Sequence, residues 1–210
     1  MPNRVVIFLK VLVHIACLAP VTWLVVHLFQ NNLGPDPTHT VTFFTGRGTL
    51  RLLVITLAIS PVRRLIPKLG WTIRFRRMLG LYAFFYGCLH LMTYLWLYAG
   101  FSWAAIVDDI SLRRFIVAGV AAWLLMLPLA LTSTAWSIRK LGGQNWKRLH
   151  WLVYLAATAG VVHYWWGVKQ GVRTPMAITV ALAVVLSARP LLVWARGVGV
   201  RNASPKKVNS

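Results

Sequence analysis

Glutamate is absent from this 210-residue chain, and only three aspartates, Asp36, Asp108 and Asp109, stand against 23 lysines and arginines. None of the three falls inside a long apolar run, so ion coupling through intramembrane carboxylates is disfavoured. No G-x-G-x-x-G unit occurs, and no segment could form a separate nucleotide-binding domain. A hydride donor therefore cannot be handled within the chain, and any electrons must come from a membrane carrier or another protein. Cysteine is scarce as well. Cys17 and Cys88 both lie in apolar runs, which argues against a disulfide in an exposed loop; they read as small buried hydrophobes and identify no redox compartment.

What is abundant is apolar surface, with 58% hydrophobic residues and 11 tryptophans, too much for a soluble domain of this length. The chain reads as an all-α integral membrane protein. Six apolar segments, at about 5–29, 48–66, 78–101, 114–135, 147–168 and 175–195, each approach the roughly 20 residues that span a hydrocarbon core. Continuous apolar runs do not alternate as barrel strands do, so helices are expected. Pro20, Pro61 and Pro128 fall within or at the ends of spans, where they kink or stop a helix. The first run is too long for a signal peptide, carries Lys10 and His14 and lacks a small-residue cleavage site; His14 also spoils a lipoprotein site at Cys17. It is expected to stay as the first span. One transmembrane domain over 1–200 and a polar tail over 201–210 complete the expected layout.

The basic residues lie in short connections between apolar runs, which is how a membrane protein sets its orientation, and nucleic acid is not expected as a partner. The second connection holds Arg63, Arg64, Lys68, Arg74, Arg76 and Arg77, and the fourth holds Arg139, Lys140, Lys147 and Arg148. Both are expected to face the cytoplasm, and with six spans both termini follow them. Topology alone accounts for these arginines; contact with haem propionates, anionic lipid or a flavin phosphate is the alternative. Trp71, Trp103, Trp146 and Trp165 sit near span ends, as an aromatic belt would.

Against this background the histidines stand out, because an imidazole within a bilayer is costly unless something binds it. His90 lies 13 residues past Arg77 and His163 lies 15 past Arg148, which puts them at roughly 20 and 22 Å above the inner boundary. The two rings are expected to be level. Gly87 and Gly160 stand one helical turn before them, leaving room for a flat ligand beside each ring. Level imidazoles on neighbouring helices suit a porphyrin held edge-on with both axial positions filled. The alternative is a pair of packed histidines bonded to neighbouring helices.

His150 sits roughly 3 Å from the inner boundary and belongs to a second, cytoplasmic-side position, where it is a further candidate iron ligand. A second haem there would want a ligand low on the third span, where the chain offers Arg76 and Arg77. One bis-histidine haem is therefore better supported than two. His14, midway through its span, contacts haem or quinone or else makes an interhelical hydrogen bond. His27 and His39 read as interfacial and solvated.

Several stretches carry a family resemblance: LGPDP at Leu33 to Pro37, FTGR at Phe44 to Arg47, RRMLGLYAF at Arg76 to Phe84, LHLMTY at Leu89 to Tyr94, LTSTAW at Leu131 to Trp136, and LGGQNWKRLHWLVYL from Leu141, with HY at His163. Together they make the chain resemble the ferric-reductase-like transmembrane family, in particular the haem-binding membrane subunits of periplasmic methionine-sulfoxide reductase systems. The resemblance covers nearly the whole chain. It implies a bacterial inner-membrane electron-transfer protein with haem b and flavin mononucleotide (FMN). Such a protein takes electrons from the quinone pool and passes them to a periplasmic molybdenum-containing reductase that repairs oxidised methionine. It also implies that His90, His150 and His163 are haem-associated. Larger relatives with two haems carry a second histidine on span three, which this chain lacks, and no flavin motif is legible. The competing classes are a free-standing ferric or quinone reductase and a cofactor-free scaffold or transporter; visible haem absorption separates the last from the others.

Overall fold

A computed structural model of the chain describes residues 3–168 and 174–202. Among them every regular element is helical and none is a strand. The α-helices in chain order are α1 (Asn3–Phe29), α2 (Pro37–Leu65), α3 (Arg76–Thr93), α4 (Trp103–Leu112), α5 (Arg114–Leu131), α6 (Ala135–Leu141), α7 (Gly143–Leu149), α8 (Leu152–Gly167) and α9 (Thr174–Asn202). A 3-10 stretch, Pro67–Phe75, leads into α3, and a π-helical stretch, Tyr94–Tyr98, ends it.

Five described segments are long and apolar enough to cross a membrane: Arg4–Phe29, Pro37–Leu65, Pro67–Tyr98, Arg114–Leu131 and Pro175–Leu192. The sixth expected span, 147–168, is divided. Its first residues belong to α7, and only the 16 residues of α8 continue through the bundle, about 24 Å of helix. The break falls at His150 and Trp151, where His150 caps the end of α7 (φ −70°, ψ −3°). Gly142 takes φ +74° and separates α6 from α7, while the Trp146 indole N–H reaches back to the Thr132 carbonyl at 2.9 Å. That folds α6 and α7 into a short helical hairpin at the end of the bundle.

The remaining boundaries also have local reasons. α2 starts at Pro37, well before the expected 48, because Asp36 caps it by accepting the His39 N–H at 2.9 Å and proline suits the first turn. Threonine hydroxyls at 42, 45, 49 and 56 bond to carbonyls of the preceding turn, so this polar stretch costs little inside a helix. α4, unforeseen, is capped by Ser102. α9 continues past the expected end of the last span to Asn202; the rest of the expected tail, from residue 203, lies outside the described residues.

Two antiparallel helix pairs dominate the packing, α2 with α3 and α5 with α8. Leu50, Leu53 and Leu57 of α2 form the centre of the core, with Met126 of α5 and Leu182 of α9 against them. Ala83 on α3 and Ala156 on α8 are completely buried, at 0% exposure, and small residues of this kind let helices approach closely where lipid supplies no hydrophobic drive. α1 lies on the rim, tied on by the Tyr86 hydroxyl donating to the Cys17 carbonyl at 2.9 Å and by Trp23 stacking on Phe44. Cys17 and Cys88 are both free thiols. Of the belt tryptophans, Trp103 is strongly exposed, whereas Trp146 and Trp165 spend their N–H groups on Thr132 and Thr179.

Candidate functional site

His90 near the C-terminal end of α3 and His163 in the corresponding part of α8 come together, their ring centres 5.8 Å apart and their planes at 75°. Their matching depth shows in what faces the glycines one turn before them. A Cβ on Gly87 would meet Thr49, and one on Gly160 would meet Leu50, consecutive residues of α2. The two glycines let α2 come in close: Leu50 reaches to within 2.9 Å of a Cβ built on Gly160, while Thr49 and Trp123 stand at 3.7 Å from one on Gly87.

Each imidazole is gripped by the antiparallel partner of its own helix in the same way. His90 donates its Nδ1–H to the Thr42 carbonyl at 3.0 Å, and its ring lies on Gly46, one turn further along α2. His163 donates its Nδ1–H to the Phe115 carbonyl at 2.6 Å, and its ring lies on Gly119, one turn further along α5. Committing Nδ1 to a carbonyl fixes the tautomer and leaves the Nε2 lone pair of each ring free to bind a metal. Neither Thr42 and Gly46 nor Phe115 and Gly119 was singled out from the sequence. A signal existed for the glycines: Gly46, Ala83, Gly87 and His90 recur 73 residues later as Gly119, Ala156, Gly160 and His163. The bundle therefore contains a helix pair and its near-copy, with the two histidines at their junction.

The pair fits an iron porphyrin and not a bare ion. Metal–imidazole bonds of about 2 Å, plus the distance from nitrogen to ring centre on each side, add up to about 6 Å across one metal, close to the separation found. Among the described residues no group of three or more histidines, cysteines or acids could hold a metal ion. Two imidazoles alone leave a bare ion under-coordinated, whereas a tetrapyrrole brings four nitrogens of its own.

The other histidines are elsewhere. His150 closes α7 half-buried, stacks on Trp146 at 3.8 Å and donates its Nδ1–H to the Trp146 carbonyl at 3.0 Å. Arg76, at the start of α3, acts on it electrostatically, and among the described residues no second histidine stacks on it. His14 pairs with Tyr82 across α1 and α3, with Nδ1 and the hydroxyl 2.6 Å apart. His27 and His39 stack on Trp23 and Phe43 of their own helices.

A multi-pass helical bundle with paired imidazoles at one depth is the architecture of membrane cytochromes, and residues 45–161 match the family described as ferric reductase like transmembrane component. Curated relatives narrow this further. The chain is 45% identical over 210 residues to the protein-methionine-sulfoxide reductase heme-binding subunit MsrQ of Xanthomonas axonopodis pv. citri, covering 95% of this chain and 94% of the relative. MsrQ of Xanthomonas campestris pv. campestris is 45% identical, with 91% and 88% covered, and MsrQ of Herminiimonas arsenicoxydans is 42% identical, with 89% and 86% covered. The chain belongs to the ferric-reductase-like transmembrane family, within its MsrQ group. No solved structure matches it.

Proposed function

We propose that this protein is the haem-carrying electron-transfer subunit of a methionine-sulfoxide reductase system. The observation that carries the reading is the His90–His163 pair, with rings 5.8 Å apart and each Nδ1 spent on a backbone carbonyl. His90 and His163 would hold a b-type haem through Nε2, with Gly46 and Gly119 behind the rings and Gly87 and Gly160 one turn inward. When bound, the haem supplies a one-electron carrier. The helices hold the ligands still, exclude water and, through the Thr42 and Phe115 carbonyls, raise imidazole basicity, which tunes the potential. The named relatives are haem-binding subunits of protein-methionine-sulfoxide reductases, which supports both cofactor and partner.

The finer reading follows the resemblance. Electrons enter from the quinone pool of the bacterial inner membrane and leave on the outer side for a periplasmic molybdenum-containing reductase. α8 serves as the sixth crossing despite its length, and both termini face the cytoplasm, where the arginine-rich connections lie. Nothing singles out residues for FMN, so the proposal rests on haem. His150, held apart from the pair, is the ligand available to a second haem.

Haem and protein assays on the purified chain test this. About one haem per chain with a low-spin bis-imidazole spectrum is expected. Reduced protein in liposomes should be reoxidised when the periplasmic reductase and a methionine-sulfoxide substrate are added together. A colourless preparation refutes the proposal, a haem that the reductase leaves reduced points to a free-standing reductase, and two haems per chain assign His150 to the second.

A further inference from the structure

The His14–Tyr82 pair also puts ionisable groups within the candidate spans, and its setting differs from that of the haem histidines. The two side chains join the rim helix α1 to α3 through a 2.6 Å contact between Nδ1 and the hydroxyl, with the rings edge-on at 5.5 Å. His14 is exposed on the side of the bundle, among the exposed apolar residues Val11, Ile15 and Leu18. The hydrogen bond occupies Nδ1, and among the described residues nothing bonds Nε2. An unsatisfied imidazole nitrogen facing hydrocarbon is costly, so a ligand arriving from the lipid is called for.

Depth and direction narrow the ligand. Lys10 lies one turn before His14 on α1, and Arg77 lies five residues before Tyr82 on α3, so the pair sits about 6–8 Å beyond the nearest charged side chain on each helix. A ligand with a polar ring and an apolar tail reaches that level with its tail still in lipid. From there α3 carries an unbroken column at i, i+4, i+8: Tyr82, then Tyr86, buried and packed on Gly48 of α2, then the proposed iron ligand His90. The climb from Tyr82 to His90 is about 12 Å.

Resting on the proposed function above, we propose that His14 and Tyr82 form the binding and proton-accepting site for a membrane quinol. With Nδ1–H donated to the Tyr82 oxygen, His14 Nε2 accepts the O–H of the quinol. With the Tyr82 O–H donated to Nδ1 instead, Nε2–H donates to the carbonyl of the quinone product. Oxidation of one quinol breaks its two O–H bonds and releases two protons and two electrons. The protons pass one after the other through His14 to water at the nearby cytoplasmic surface, and the electrons leave singly for the haem of the His90–His163 pair, which is the oxidant.

The test uses the full haem-loaded protein in liposomes with decyl-ubiquinol as the probe. His14→Leu and Tyr82→Phe alter rim side chains, so the haem spectrum and reduction by dithionite should stay as in the wild type. Quinol-driven haem reduction should become about a hundred-fold slower in His14→Leu, the lower range for losing a proton acceptor. His14→Gln should still be labelled on α1 by a photoreactive azidoquinone yet remain slow, which separates binding from proton transfer. Wild-type rates in His14→Leu, or labelling confined to helices other than α1 and α3, overturn the site. A wild-type protein that dithionite reduces and the quinol does not would instead overturn the quinone-pool reading itself.

Discussion

His163→Ala is expected to remove the low-spin haem spectrum of the purified protein, and His90→Ala to do the same. Disturbing a residue that merely supports a ligand costs about 10–100-fold in metal affinity, and losing the ligand costs more, so haem content should drop at least about a hundred-fold. The two variants are equivalent because the two half-sites are near-copies, each with a carbonyl acceptor and a glycine one turn apart on the partner helix. Collapse of the bundle is separable from loss of the ligand. In His163→Gly, added imidazole should restore the spectrum, since the cavity left beside Gly119 suits that molecule. Absorption spectra with and without imidazole make the check. An unaltered spectrum in either alanine variant would eliminate the pair as the iron ligands.

Gly119→Ala carries the second large effect. Its new Cβ would lie 2.7 Å from Nδ1 and 2.8 Å from Cε1 of His163, closer than such atoms approach, and the ring cannot retreat while it keeps its 2.6 Å bond to the Phe115 carbonyl. Overpacking of this sort costs about 1–3 kcal/mol, so haem occupancy should fall about ten-fold or more. The neighbouring glycines grade the effect. Gly46→Ala meets His90 at 3.0 Å and should be milder; Gly160→Ala meets only the flexible tip of Leu50 at 2.9 Å, and Gly87→Ala has ordinary contacts at 3.7 Å. The ratio of haem to protein absorbance should therefore rise from Gly119→Ala through Gly46→Ala to Gly87→Ala. Equal occupancy in all of these would show that the rings do not depend on the glycines behind them.

Much of this site was legible in the chain. His90 and His163 were recognisable because apolar runs bracket them and basic residues mark their depth. Gly87 and Gly160 were expected to leave room for a flat ligand, but they face Thr49, Trp123 and Leu50, and the glycines against the rings are Gly46 and Gly119. What could not be read was the partner of each imidazole. Thr42 contributes its carbonyl and Phe115 likewise, and a backbone acceptor leaves no trace in residue type. Tyr82 was hidden for a related reason, since its meaning depends on α1 lying beside α3.

The sequence by itself determined the medium, the helical class and the level of the two imidazoles, because these follow from hydropathy, charge placement and a fixed rise per residue. Only the tertiary structure decided that α2 pairs with α3 and α5 with α8, that α8 is short, and which carbonyls and glycines hold the rings. Those outcomes depend on side-chain packing between segments far apart in the chain, which a local pattern does not encode.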